Sequence, residues 1–146
     1  MILFLDFDGV LHSMQSLELF TESHRLGPVL ARFRELEIVI SSSWREDYSL
    51  EQMLGYLPPE VADRVIGVTP VWIARSEPPW PIREAECREW LRRAEFDPDD
   101  WVALDDRGDL FSATAPLIKC DPTLGLDEAA VGRLVETLVR LEARRA

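Results

Sequence analysis

The chain has 146 residues, 47% of them hydrophobic and 29% charged, with a net charge of −11. That length suits one layered domain and is too short for two substantial ones, so residues 1–146 are expected to fold as a single domain. The acidic balance favours solubility and disfavours strong non-specific binding to nucleic acid, while leaving room for a local basic pocket; it says nothing of oligomeric state.

Residues 2–5 (ILFL) form a short continuous apolar run, the pattern of a strand covered on both faces in a parallel sheet. The run meets an aspartate almost at once and has neither a basic leader nor a cleavage site, so it reads as neither signal peptide nor membrane span. A cytoplasmic location and no membrane partner are the expectation. After Asp6, Asp8 and Gly9 comes a loop with Ser13 and Ser16 that stays weakly patterned to about Arg25. Gly27-Pro28 opens the next element, and VLARFREL (29–36) places apolar residues at helical spacing. EIVI (37–40) is a β-branched second strand that ends at SSSW (41–44).

A helix is expected over 47–57, stopped by Pro58-Pro59. RVIGV (64–68) suits a third strand, and TPVWIARSEPPWP (69–81) an ordered loop. IREAECREWLRRA (82–94) reads as an amphipathic helix, WVALDD (101–106) as a strand ending in acids, and PLIKC (116–120) as a fifth strand. Residues 126–145 predict a terminal helix, with Asp127 near its start and arginines at its end in accord with the helix dipole. Cys87 and Cys120 lack metal-type spacing and are expected to be buried, inert thiols.

Strands alternating with helices in this way predict an α/β domain with a mainly parallel five-stranded sheet. Ligands of such sheets bind beyond the carboxyl ends of the strands, where Asp6, Asp8, Ser41, Asp105 and Asp106 should share one edge. Clustered aspartates without His or Cys call for a hard cation held by oxygen, of which Mg²⁺ is the natural choice. Asp6 would then attack phosphorus, and Asp8, two residues on, would protonate the leaving oxygen and later deprotonate water. Ser41 offers a hydroxyl to a phosphoryl oxygen, and Arg83, in the first turn of a helix, a guanidinium. Gly9, Ser42 and Arg45 are further candidate phosphate or substrate contacts, and Gly9 also lets the chain turn away into a flap.

Each motif alone also suits a plainer role: DxDG a solvated turn, SSSW a helix cap, the acidic pair a turn, and Arg83 or Arg45 a surface arginine. An EF-hand is excluded, because Val10 stands where its fifth ligand belongs and no Glu follows at the twelfth position. A receiver domain fits poorly, since the third strand runs into GVTP rather than a phospho-accepting aspartate. The four motifs in this order are what point to one phosphate and metal site.

In that order the chain resembles the haloacid dehalogenase (HAD) superfamily: FLDFDGVLH matches the first motif with Asp6 and Asp8, IVIS the second with Ser41, IREAECREWL the third with Arg83, and WVALDD the fourth with Asp105 and Asp106. SSSWRE and the Arg-x-x-Glu-x-x-x-Trp-Leu helix resemble a compact subgroup, some members of which occur with RNA-repair modules. The resemblance implies a three-layer Rossmann-like sheet of order 5-4-1-2-3 with a minimal cap or none. It also implies a Mg²⁺-dependent phosphatase working through an aspartyl-phosphate, with Asp6, Asp8, Asp105 and Asp106 as the metal residues. A capless build implies bulky phosphorylated substrates, such as proteins or nucleic-acid ends. Arg75 and Arg88 compete with Arg83 for the third motif. The alternative function is a HAD-fold module that binds phosphorylated ends or a protein partner with little turnover. The flap of residues 12–25 and the loop from Trp72 to Trp80 should form the lips of the crevice. Trp44, Trp72 and Trp80 are candidates for base stacking or for packing, and His12 for contacting substrate, packing in the flap or facing solvent.

Overall fold

The computed structural model describes residues 1–73 and 77–145. Five strands, β1 (Ile2–Leu5), β2 (Glu37–Ile40), β3 (Val65–Val68), β4 (Trp101–Asp105) and β5 (Leu117–Lys119), form one wholly parallel sheet of order β3-β2-β1-β4-β5. This is the expected order read from the opposite edge, with no antiparallel strand in it. Side chains alternate across the sheet, as the two-residue period of a strand requires. Leu3, Leu5, Ile38, Ile40, Val102 and Leu104 face a core shared with α1 (Leu26–Arg32), α2 (Leu50–Leu54), α3 (Pro59–Ala62) and α5 (Glu128–Arg145). Ile2, Phe4, Val39, Trp101 and Ala103 face the other way, onto Cys87, Trp90 and Leu91 of α4 (Ile82–Ala94). The result is three layers, with every strand residue of β1 buried, which is why ILFL carries no polar alternation.

Two segments depart from the periodicity of their residues. The apolar positions Val29, Leu30, Phe33 and Leu36 are all buried, but α1 starts earlier, at Leu26, and ends at Arg32. The Arg64 guanidinium donates to the carbonyls of Leu30, Phe33 and Leu36 at 2.8–3.1 Å, closing that end so that β2 begins at Glu37. The single helix expected over 47–57 is split. Ser42 caps a 3₁₀ turn at Ser43–Glu46, and Ser49 then restarts the chain as α2 through a reciprocal capping box with Gln52. Pro59 opens α3 instead of merely stopping its predecessor, a position where its missing N–H costs nothing.

The segment between β1 and α1 is a short flap laid back on the domain. Val10 accepts a hydrogen bond from Leu126 N, Leu11 from Glu22 N, and Pro122 from Met14 N. No inserted cap domain is found among the described residues. Both cysteines are buried, and burial pushes the Cys87 thiol up and the Cys120 thiol up to about 12. No helix of the described residues is long and apolar enough to cross a membrane.

Candidate active site

The chain runs outward from β1 to β2 and β3, then returns across the sheet to lay β4 on the other side of β1. That reversal opens a crevice at the carboxyl ends of β1 and β4. In the register, Leu5 lies beside both Ile40 and Leu104, so the next residues out, Asp6, Ser41 and Asp105, stand at one level. Their backbones continue the ladder: Asp6 N donates to Leu104 O at 3.1 Å, and Ser41 N to Leu5 O at 3.0 Å. Three strand ends thus place three polar side chains on a rigid floor.

Asp6, Asp105 and Asp106 each bring a carboxylate oxygen within 4.8 Å of the others. Asp6 and Asp105 are buried, and Asp106 is partly exposed. Asp6 Oδ1 accepts from Phe7 N at 2.9 Å. Both Asp105 oxygens are already engaged, Oδ1 with Arg107 N at 2.9 Å and Oδ2 with Arg83 Nη1 at 2.8 Å. The same Arg83 nitrogen lies 3.4 Å from Asp6 Oδ2. Burial, then the charge of Asp105, push the Asp6 carboxyl well above the ordinary range, with Arg83 opposing. Burial and Asp105 also raise Asp106. For Arg83 burial works against the charge, but Asp105 and Asp6 outweigh it and hold the proton more tightly than usual.

Three carboxylates facing one guanidinium leave excess negative charge among hard oxygen donors. That donor set fits a divalent cation of the Mg²⁺ kind. Gly9 has φ +74°, and a Cβ built there would sit 2.4 Å from Asp106 Oδ2. Glycine is therefore required twice, by the backbone and by the acidic side chain against it. The Ser41 hydroxyl, next along the edge from Asp6, is buried with no hydrogen-bond partner among the described residues, as is the Thr69 hydroxyl at the end of β3.

Asp8 stands apart from this cluster. Its carboxylate is 41% exposed and is gripped from two sides, with Oδ1 2.8 Å from His12 Nε2 and Oδ2 accepting from Trp44 Nε1 at 3.1 Å. His12 is buried and does not face solvent; it packs edge-on to Phe20 at 5.3 Å while touching Asp8. Only its position four residues after Asp8 hinted at this contact. Trp44 lies 36 residues from Asp8, and nothing in the local pattern announces their pairing.

Arg45 and Ser42 do not stand free for phosphate. The Arg45 side chain is buried, donates to the carbonyls of Ser41, Ser42, Thr69 and Pro70, and pairs with Glu86 at 2.9 Å. Its donors are consumed in tying the end of β2 to the loop after β3. The Ser42 side chain is fully buried and accepts from Trp44 N. Arg83 is the third-motif candidate that reaches the acids; Arg88 instead pairs with Glu84 and lies 4.0 Å over the Trp80 ring, and Arg75 falls outside the described residues. Of the three tryptophans, Trp80 is therefore a stacking surface for an arginine and Trp44 a hydrogen-bond donor. Trp72 is partly buried, with its backbone N–H held by Glu86 at 2.8 Å.

A family profile described as "HAD domain in Swiss Army Knife RNA repair proteins" matches residues 2–131. The chain belongs to this family. The match spans the flap, all five strands and the start of α5, so it includes every residue of the crevice. No curated protein and no solved structure matches the chain at a significant level. The all-parallel sheet, the flap in place of a cap and the acidic cluster at the β1–β4 reversal are the capless HAD core, as the order of motifs implied.

Proposed function

We propose that this HAD domain is a Mg²⁺-dependent phosphohydrolase that acts on an accessible phosphate ester through a phosphorylated Asp6. The observation that carries the reading is the convergence of Asp6, Asp105 and Asp106 within 4.8 Å around Arg83. Mg²⁺ would be held by Asp6, Asp106 and the Asp8 carbonyl, with Asp105 in support, and when bound supplies the positive charge that lets an anionic nucleophile meet an anionic ester. Asp106 is favoured over Asp105 as the direct ligand because both Asp105 oxygens already accept hydrogen bonds.

The chain's own residues carry the proton and bond changes. An Asp6 oxygen bonds to phosphorus as the ester P–O bond breaks, and the Asp8 carboxyl gives its proton to the departing oxygen. In the second half Asp8 takes a proton from water as that water bonds to phosphorus. The Asp6–phosphorus bond breaks, releasing inorganic phosphate and restoring both aspartates. The unpartnered Ser41 hydroxyl supplies a donor for a phosphoryl oxygen, and Arg83 steadies Asp6.

The open crevice admits a bulky ester, and the family's association with RNA repair directs the choice to the phosphorylated end of an RNA strand. The test is phosphate release from p-nitrophenyl phosphate and from oligoribonucleotides phosphorylated at either end, with and without Mg²⁺. Release should require Mg²⁺ and vanish in Asp6→Asn; activity that persists in that variant defeats the reading. Protein that binds Mg²⁺ and phosphorylated ends yet releases no phosphate would be a binding module.

A further inference from the structure

We propose that His12 and Trp44 are positioning residues that hold Asp8 for proton transfer, so that the flap sets how well the domain expels a poor leaving group. The inference rests on the phosphohydrolase reading and adds two residues to it. A largely exposed carboxylate on a loop ordinarily rotates freely. Asp8 is instead fixed at both oxygens by donors from different parts of the chain, one in the flap and one in the turn after β2. Each oxygen keeps a further lone pair for the proton it must carry.

The direction of the first hydrogen bond follows from the other side of the imidazole. Phe20 N–H donates to His12 Nδ1 at 3.2 Å, so Nδ1 carries the lone pair, and the ring proton sits on Nε2, aimed at Asp8 Oδ1. Phe20 reaches this position with φ 60°, a left-handed conformation that a phenylalanine keeps only when its surroundings hold it. They do: its ring packs on Phe7 at 5.2 Å, Trp44 at 5.3 Å and Tyr56 at 5.3 Å. One aromatic cluster thus holds the donor of the imidazole and the indole that grips the opposite oxygen. A side chain serving packing alone would have no need of a fixed tautomer.

The test compares kcat/KM for p-nitrophenyl phosphate, whose leaving group needs little protonation, with that for β-glycerophosphate, whose alkoxide needs it. Trp44→Phe keeps the ring and removes the N–H, and His12→Phe does the same in the flap. Each should lose at least about tenfold more on the alkyl ester than on the aryl ester, part of what a general acid contributes. His12→Gln, which restores an N–H, should recover part of the alkyl activity. Independently of activity, ¹⁵N NMR of the metal-free protein should find neutral His12 as the Nε2–H tautomer. Equal losses on both esters, no loss, a wild type active on the aryl ester alone, or an Nδ1–H tautomer each overturn the inference while the phosphohydrolase reading stands. A wild type that hydrolyses neither ester overturns that reading and the inference with it.

Discussion

Arg83 Nη1 lies 2.8 Å from Asp105 Oδ2, and the Asp105 carboxylate has no exposed surface at all. A buried ion pair contributes little net stability while intact, yet removing one partner strands the other charge in the interior. Arg83→Met should therefore destabilise the domain by about 3 kcal/mol, and adding Asp105→Asn should recover most of that loss. Urea unfolding of the two single variants and the double variant measures the coupling. Additive losses would mean that the pair is not coupled.

Asp6 works in the opposite sense. Because burial and Asp105 raise its carboxyl, the folded protein holds that proton more tightly than the unfolded chain does. The stability linked to the neutral form is present at pH below the ordinary carboxylate range and is lost as pH rises through the raised value, so at neutral pH the site costs stability. Metal-free Asp6→Asn should melt higher than wild type at pH 7, by about 3 °C for each kcal/mol regained, and the gain should shrink on acidification. Saturating Mg²⁺ should reverse the ranking, since ligand at about 100 times its Kd adds about 2.7 kcal/mol to the protein that binds it. Differential scanning calorimetry at two pH values, with and without Mg²⁺, reads all of these effects.

The two glycines with positive φ separate backbone cost from site damage. Gly9 has φ +74° and Gly125 φ +70°, so alanine at either costs about 1–2 kcal/mol in conformation alone. At Gly9 the added Cβ also meets Asp106 Oδ2 at 2.4 Å, whereas at Gly125 it meets the Val10 carbonyl at 2.9 Å. Both variants should lose stability, but only Gly9→Ala should lose the Mg²⁺-induced rise in Tm. A normal Mg²⁺ response in Gly9→Ala would remove Asp106 from the proposed metal site.

Much of this organisation is legible in the residues themselves. ILFL and WVALD announce buried parallel strands because both faces are covered. The register then brings Asp6, Ser41 and Asp105 to one level without any side-chain information. Helix α4 spans 82–94, as its apolar spacing predicts. Arg45 is ambiguous in sequence, because a basic residue just past a strand end looks the same whether it meets phosphate or, as here, four carbonyls. The grip on Asp8 is hidden for a related reason: the Trp44 contact crosses 36 residues and depends on how the flap folds back, which no periodicity encodes.

Arg45 yields a prediction of its own. Arg45→Met strands the buried Glu86 carboxylate and frees the carbonyls at the end of β2, so a loss of about 3 kcal/mol is expected, with Glu86→Gln in the same background recovering part of it. Thermal or urea unfolding checks this directly. A stable Arg45→Met protein with a selectively raised KM would instead favour Arg45 as a contact of the proposed phosphate substrate.

The first turns of α4 send out three side chains in different directions. Arg83 reaches the acids, Glu84 accepts from Ser112 N at 2.7 Å, and Glu86 accepts from Trp72 N at 2.8 Å. The two glutamates hold main-chain N–H groups, which every residue except proline carries. These two moorings accordingly do not depend on which side chains stand at 72 and 112, and they tie both loops to the helix that carries Arg83. Such a rim can exchange side chains while the acidic cluster beneath it stays in place.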